Sequence, residues 1–140
     1  MKIKEVMRKP VIIPPETTKA EIQKIVRKNP NEDLFIVVDK DGKFLGDIDE
    51  NDLFYMILPN DKYSEIEGGL GFDLEKKFFA ETAKEVMRRN PQCCYQDDEV
   101  MDVALDLAAA DVNEMPVLDK DEKVVGVVDQ GAILRKLEFK

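Results

Sequence analysis

Histidine is absent from the 140 residues, and cysteine occurs only as the adjacent pair Cys93 and Cys94. Without histidine the chain lacks the commonest general base at neutral pH and the commonest neutral metal ligand. Two neighbouring cysteines have neither the spacing of a redox pair nor that of a zinc site, so packing on an apolar strand is their expected role. Long hydrophobic runs are also missing. Nothing approaches the ~18 to 20 apolar residues of a membrane span, and "MKIKEVMRKP" has no hydrophobic region of a signal peptide, which makes the cytoplasm the expected location. Positive charge is in deficit as well: 21 basic against 30 acidic side chains give a net charge of -9. Such a surface opposes a polyanion, so nucleic acid is not an expected partner, whereas small molecules, cations and proteins are.

These absences bear on catalysis. No nucleophile, base and orienting group can be assembled without histidine, and a lysine-based alternative has no supporting motif. The neighbouring carboxylates Asp97 and Asp98 are explained by helix capping. The chain is therefore not expected to be an enzyme.

What the sequence does contain is a repeat. "VVDKDGKFLG" at 37–46 returns as "VLDKDEKVVG" at 117–126, and "IKEVMRKP" at 3–10 returns as "AKEVMRRNP" at 83–91. Both pairs are eighty positions apart, with one extra residue near Asn90 that is lost again before Asp119. A slip of one residue belongs in a loop or at a helix end, because inside a paired strand it would turn every side chain to the opposite face. The period is too long for a solenoid unit. A lone half of about 60 to 70 residues would bury only a marginal core, so two half-domains sharing one core are expected, with a composition of 44% hydrophobic and 36% charged residues that is globular. The organisation is repeat one at 1–57, a linker at 58–82 and repeat two at 83–140.

Each copy offers the same order of elements. "VII" at 11–13 reads as a short strand, "TKAE" at 18–21 as a capping box opening a helix, and Ile22, Ile25 and Val26 as its buried stripe. "LFIVVD" and "KFLGDI" form a hairpin around "KDG", and a helix runs from about Asp49 to Ile57. In the second copy "QCCY" is the short strand and Asp98 the helix N-cap. Val100, Val103, Ala104, Leu107 and Ala108 keep helical spacing as a core stripe. "EMPVLD" and "KVVGVV" form the hairpin, and "DQGAILRKLEF" at 129–139 closes as a helix. Each unit thus reads β-α-β-β-α, a mixed α/β (α+β) class.

The ordered series "EVM…P", a capped helix, "PVLDKDEKVVGVV" and a short helix, present twice, resembles the CBS domain, named after cystathionine β-synthase. Two copies in tandem resemble a Bateman module, over nearly the whole chain outside the linker. The resemblance implies two repeats packed about a pseudo-twofold axis with clefts between them, and a homodimer formed through helices. For the last helix, Ile133, Leu134 and Leu137 serve either a partner or the core. It also implies a regulatory role through a ligand in a cleft: AMP, ADP, ATP or S-adenosylmethionine, with or without Mg²⁺. A separately encoded protein would then be what is regulated.

In the family, a Thr or Ser followed by an Asp after the hairpin serves phosphate and ribose. Here "GDIDEND" at 46–52 retains Asp52 at the ribose position but has Asp49 in place of the hydroxyl. "GVVDQGA" at 126–132 has Asp129 and Ala132 at those two positions. A carboxylate about 4 Å from a phosphate is repelled by up to about 4 kcal/mol at an effective dielectric near 20, an upper bound of roughly a thousandfold in affinity. Asp33 and Glu114 add to that field, and Arg8, Lys9, Arg88 and Arg89 are the candidates that offset it. Val11, Ile12, Phe35, Ile36, Gln92, Cys93, Met115 and Pro116 are the candidate cleft-lining residues.

Helix capping competes with a ligand role for Asp49 and Asp129, and simple solvation competes for Asp52. Three functions stay open: an adenosyl-ligand sensor centred on the first copy, a divalent-cation sensor using Asp49, Asp52 or Asp129, and a ligand-free dimerisation or protein-interaction module. In the linker, Gly68, Gly69 and Gly71 lack the flanking strand and "GK[ST]" of a phosphate loop and read as a turn. "FDLEKKFFAETA" reads as a helix placing Phe72, Leu74, Phe78 and Phe79 on one surface, for the module, a dimer or a partner.

Overall fold

A computed structural model describes residues 1–66, 72–89 and 91–140. The first repeat supplies β1 (Val11–Ile13), α1 (Lys19–Lys28), β2 (Leu34–Val38), β3 (Phe44–Asp49) and α2 (Glu50–Met56). The linker contributes a 3-10 turn (Asn60–Glu65) and α3 (Phe72–Phe79). Then come α4 (Ala83–Val86), β4 (Arg88–Arg89), β5 (Cys94–Tyr95), α5 (Val100–Ala110), β6 (Glu114–Leu118), β7 (Val124–Asp129) and α6 (Gln130–Lys136). One sheet has the order β1-β2-β3-β4 and the other β5-β6-β7. In each, the first strand runs parallel to the second and the second pairs antiparallel with the third. No described helix is long and apolar enough to cross a membrane.

Local chemistry sets these elements. Thr18 caps α1 in a reciprocal box with Glu21, satisfying amides that the first turn leaves without partners. Asp39 Oδ1 accepts the amides of Asp41 and Lys43, and Asp119 Oδ1 those of Asp121 and Lys123. Both hairpins therefore turn on one aspartate. The turn also needs a left-handed residue, filled by Gly42 (φ 84°) in one copy and by Glu122 (φ 65°) in the other.

The lead segment of each repeat packs on the opposite half. Ile3 N–H donates to Asp98 O, Lys4 N–H to Gln96 O, and Arg8 and Val127 exchange two backbone bonds. In mirror fashion Ala83 N–H donates to Thr17 O and Lys84 N–H to Pro15 O, and β4 pairs with β3 through Gly46↔Arg89 and Asp47↔Arg88. The reciprocal contacts relate the halves by an approximate twofold. The interior is accordingly three adjoining clusters, not the single shared core expected. Ile3 and Val6 complete the cluster of Val103, Leu107 and Met115. Ala83, Val86 and Met87 complete that of Ile22, Phe35 and Ile48. Leu34, Ile36 and Val127 form the seam between the sheets.

Several expectations change. The N-cap of α5 is Glu99, without a side-chain cap bond, because Asp98 accepts the Tyr95 amide instead. Ala108 is exposed, narrowing the stripe to Val100, Val103 and Leu107 with Ala104 at its edge. The lost residue falls after the helix: α5 is longer than α1 by one (11 against 10), while the following loop shrinks from 29–33 to 111–113. Asp111 closes it in the left-handed conformation, φ 55°. The last helix stops at Lys136. Ile133 is buried and Leu137 packs against the core, leaving Leu134 exposed. The linker is folded on the module: Phe78 is fully buried, with Tyr63 edge-on at 5.2 Å and Phe79 at 5.4 Å. Gly68, Gly69 and Gly71 lie outside the described residues, as do the side chain of Phe72 and the extra residue Asn90.

A Cβ on Gly46 would stand 2.5 Å from the Arg88 carbonyl oxygen, whereas one on Gly126 would meet the flexible Met7 side chain first, with Arg8 O at 3.1 Å. Gly46→Ala is expected to cost about 2–4 kcal/mol by forcing β4 off β3, and Gly126→Ala about half as much. Chemical denaturation of the two variants checks the ordering.

Candidate functional site

The exchange that builds the sheets also builds a cleft in the first half. β3 ends at Asp49, whose Oδ1 accepts the Asp52 amide at 2.7 Å, while Asp52 Oδ2 accepts the Asp49 amide at 3.0 Å. Capping is thus an observed role of Asp49, and the pair forms one rigid acidic corner at the start of α2. The second repeat's lead segment lays Met87, Arg88 and Arg89 beside this corner, and α3 brings Lys76 and Lys77 over it. Together they enclose a cavity of about 310 Å³. Lys77 Nζ lies 2.9 Å from Asp52 Oδ1, and Lys76 Nζ donates to Met87 O at 2.9 Å.

Behind the cavity Asp47, 1% exposed, accepts from Arg88 Nε at 3.0 Å and Nη2 at 3.1 Å, a bidentate pair. Burial raises the Asp47 carboxyl above its ordinary range, with Arg88 opposing that rise. Burial also raises Asp49, with the Asp52 amide pulling the other way. Arg88, hydrogen-bonded to Asp47, is held above its usual value.

The second half differs. Arg8 reaches across to β7 and hydrogen-bonds Asp129, which also caps α6 by accepting the Ala132 amide at 2.7 Å. The same guanidinium binds Glu32 through Nη2 at 2.6 Å and Nε at 3.2 Å, with Glu114 at 3.6 Å and Asp33 at 3.7 Å. Four carboxylates surround one cation. Burial, then hydrogen bonding to Asp33, pushes the Glu114 carboxyl up to about 8. A concavity of about 620 Å³ opens beside Arg8, walled by Lys9, Pro10, Val11 and the loop 28–32.

The remaining candidates are scattered. Phe35 and Met115 are buried in the two cores, Ile36 in the seam, and Pro116 is buried in β6. Ile12 and Gln92 are exposed. Cys93 borders a separate hollow of about 240 Å³ with Phe44 and Leu118. Cys94 is buried, its thiol pushed up to about 12 by burial, with Sγ 3.7 Å from Pro116 O. Asp49 and Asp52 line one cleft and Asp129 faces Arg8 in the other, so the three offer no common cation position. Among the described residues, Glu32, Asp33 and Glu114 bring oxygens within 4.8 Å of one another, but Arg8 already contacts all three. Lys76 and Lys77 were missed from sequence. Their signal was the apolar pattern of "FDLEKKFF": a helix docked by Phe78 carries its neighbouring lysines with it.

A family profile described as CBS domain matches residues 3–59 and 83–138. An uncharacterised protein of Methanocaldococcus jannaschii, MJ1426, is 25% identical over 154 residues, covering 98% of this chain and 91% of that protein. Among solved structures, the CBS domain pair of protein MJ0100, in complex with 5'-methylthioadenosine and S-adenosyl-L-methionine, superposes with a TM-score of 0.73. It shows 25% identity and covers 96% of this chain and 94% of that one. CBSX2, solved in complex with AMP, has the same fold, with a TM-score of 0.78 at 17% identity and coverage of 96% and 94%.

The raised Glu114 carboxyl has a thermodynamic sign. The folded chain holds a proton that the unfolded chain releases between the ordinary 4.5 and about 8, so stability falls as pH rises through that window. Glu114→Gln removes this loss. Its melting temperature is expected to match the parent near pH 5 and to exceed it near pH 9, by roughly 2 kcal/mol or a few degrees. Paired melts at the two pH values check it, and the other raised carboxyls cancel in the difference.

Proposed function

The chain belongs to the CBS domain family, with one copy in each half, and from that footing we propose that it is a regulatory, non-catalytic, ligand-sensing module whose first-half cleft takes an adenosine-containing ligand carrying phosphate. One observation carries the reading. Lys76, Lys77, Arg88 and Arg89 converge on the cavity that holds Asp49 and Asp52, in a chain whose net charge is -9. Four cations against the three carboxylates Asp47, Asp49 and Asp52 offset the acidic field expected from sequence and suit a phosphate. At about 310 Å³ the cavity sits at the small end of ligand sites, which run from about 300 to 1,000 Å³.

In this reading Asp52 accepts from ribose hydroxyls, its Oδ1 passing from Lys77 to the sugar while Lys77 turns to the phosphate. Asp49 stands closest to the anion, and its raised carboxyl gives up its charge more readily there. The complex of MJ0100, the 25%-identical structural relative, supports the adenosyl half of the ligand. The cations of this chain favour phosphate over a sulfonium at the other end, so AMP, ADP or ATP fit better than S-adenosylmethionine. The second-half cleft is not proposed as a nucleotide site, because Glu32, Asp33 and Asp129 already engage Arg8 and oppose a phosphate. In this reading two copies pair through their helices.

A thermal-shift series with AMP, ADP, ATP, adenosine and S-adenosylmethionine, with and without Mg²⁺, tests the reading. A nucleotide at about 100 times its Kd is expected to add roughly 2.7 kcal/mol, a shift of several degrees. Lys76→Ala and Arg89→Ala are each expected to weaken nucleotide binding about tenfold and to leave adenosine unchanged, whereas Asp52→Asn weakens both. If no compound moves the midpoint, the ligand reading fails and a protein-interaction module is left.

A further inference from the structure

Two buried carboxylates flank the first-half cleft, and each is answered by a cation from outside its own repeat. Asp47 is held by two donors of the Arg88 guanidinium, which comes from the exchanged segment. Asp52, 6% exposed, is held differently: Oδ2 accepts the Asp49 amide, and Oδ1 lies 2.9 Å from Lys77 Nζ of the linker helix α3. Lys77 Nζ also stands 6.0 Å from the centroid of the Tyr55 ring, on the same helix α2 as Asp52.

The two pairs differ in how readily they exchange. A bidentate guanidinium is fixed in its plane, whereas a lysine ammonium is a point charge on a flexible stem. The stem of Lys77 starts from a fixed place, because Phe78 beside it is fully buried and Lys76 Nζ is bound to Met87 O. Both oxygens of Asp52 are thus engaged before any ligand arrives. A molecule that presents hydroxyls to Oδ1 must first part Asp52 from Lys77. A neutral nucleoside gives Lys77 no anion in exchange, whereas a nucleotide gives it a phosphate oxygen. Selectivity then comes from a penalty on the wrong ligand as much as from attraction to the right one.

We infer that Lys77 is the residue by which the site tells a nucleotide from its nucleoside: it occupies Oδ1 of Asp52 and yields that oxygen only to a ligand that brings its own anion. The inference rests on the nucleotide reading above and gives the linker a part in it. Lys76 lines the same cavity but directs its ammonium to Met87 O, so its removal weakens the hold on a phosphate without releasing Asp52.

Calorimetric titration of AMP and of adenosine into the intact chain, Lys77→Ala, Lys77→Gln and Lys76→Ala tests this. Lys77→Ala is expected to bind adenosine about tenfold more tightly than the parent and AMP no more tightly, so that the preference for AMP falls at least about tenfold. Lys77→Gln keeps the stem and a donor without the charge and is expected to show the same pattern. It decides the matter should Lys77→Ala melt too low to titrate. Lys76→Ala is expected to lose AMP affinity alone. Adenosine binding that is unchanged or weakened in both Lys77 variants overturns the role of Lys77, while AMP binding to the parent leaves the nucleotide reading standing. A parent that binds neither compound overturns the nucleotide reading and this inference with it.

Discussion

The exchange of lead segments between the two repeats is the constraint on which the rest of the molecule depends. Residues 1–8 close the second half and residues 81–89 close the first, through backbone bonds to Gln96, Asp98 and Val127 on one side and to Pro15, Thr17 and β3 on the other. Neither half has a complete interior alone: remove Ala83, Val86 and Met87 and the cluster around Ile22, Phe35 and Ile48 loses one wall. A repeat of about 60 residues is marginal by surface-to-volume scaling, and cross-stitching lets each half borrow the apolar surface it lacks. The same stitch delivers Arg88 and Arg89 to β3 and Arg8 to β7, so the clefts come from the fold's closure and not from loops added to it.

Given equivalent skeletons, the difference between the clefts traces to one position. Arg88 lies opposite Asp47 in the ladder, and Arg8 lies opposite Val127. Asp47 takes the Arg88 guanidinium side-on, through Nε and Nη2, which leaves Asp49 and Asp52 to the cavity. Val127 offers no partner, so Arg8 extends to Asp129 and gathers Glu32, Asp33 and Glu114 around it. A buried carboxylate is retained where it has a fixed cation. One half therefore keeps an open cavity lined by cations, while the other uses its cation to neutralise its own acids.

The skeleton was legible because its signals are local. Eighty-residue periodicity, "KDG" turn chemistry, the Thr18–Glu21 box and the aspartate caps at 49 and 129 each fix an element without reference to the other half. What failed to show depends on the exchange or on docking. Asp98 looks like an N-cap in one dimension, but the Tyr95 amide claims it. Phe35 and Met115 look like cleft wall, but their strands are covered on both faces, leaving no period-two signal to separate cleft from core. Lys76 and Lys77 sit in a linker with no counterpart in the second repeat, so no periodicity placed them.

That linker sets how the candidate site is coupled to the fold. Lys77 precedes Phe78, which is fully buried against Tyr63, and Lys76 is anchored to the Met87 carbonyl of the exchanged segment. Half of the cations that face the cavity therefore belong to an element held by an aromatic cluster, and the other half to the strand that closes the sheet. An anion bound by both favours only those arrangements in which α3 and β4 are docked together, and by linkage its binding free energy becomes docking free energy. The net charge of -9 works against gathering cations anywhere on this surface. Their concentration at the junction of linker, exchanged segment and β3 makes it the place where a small anion has the most leverage over the arrangement of the whole chain.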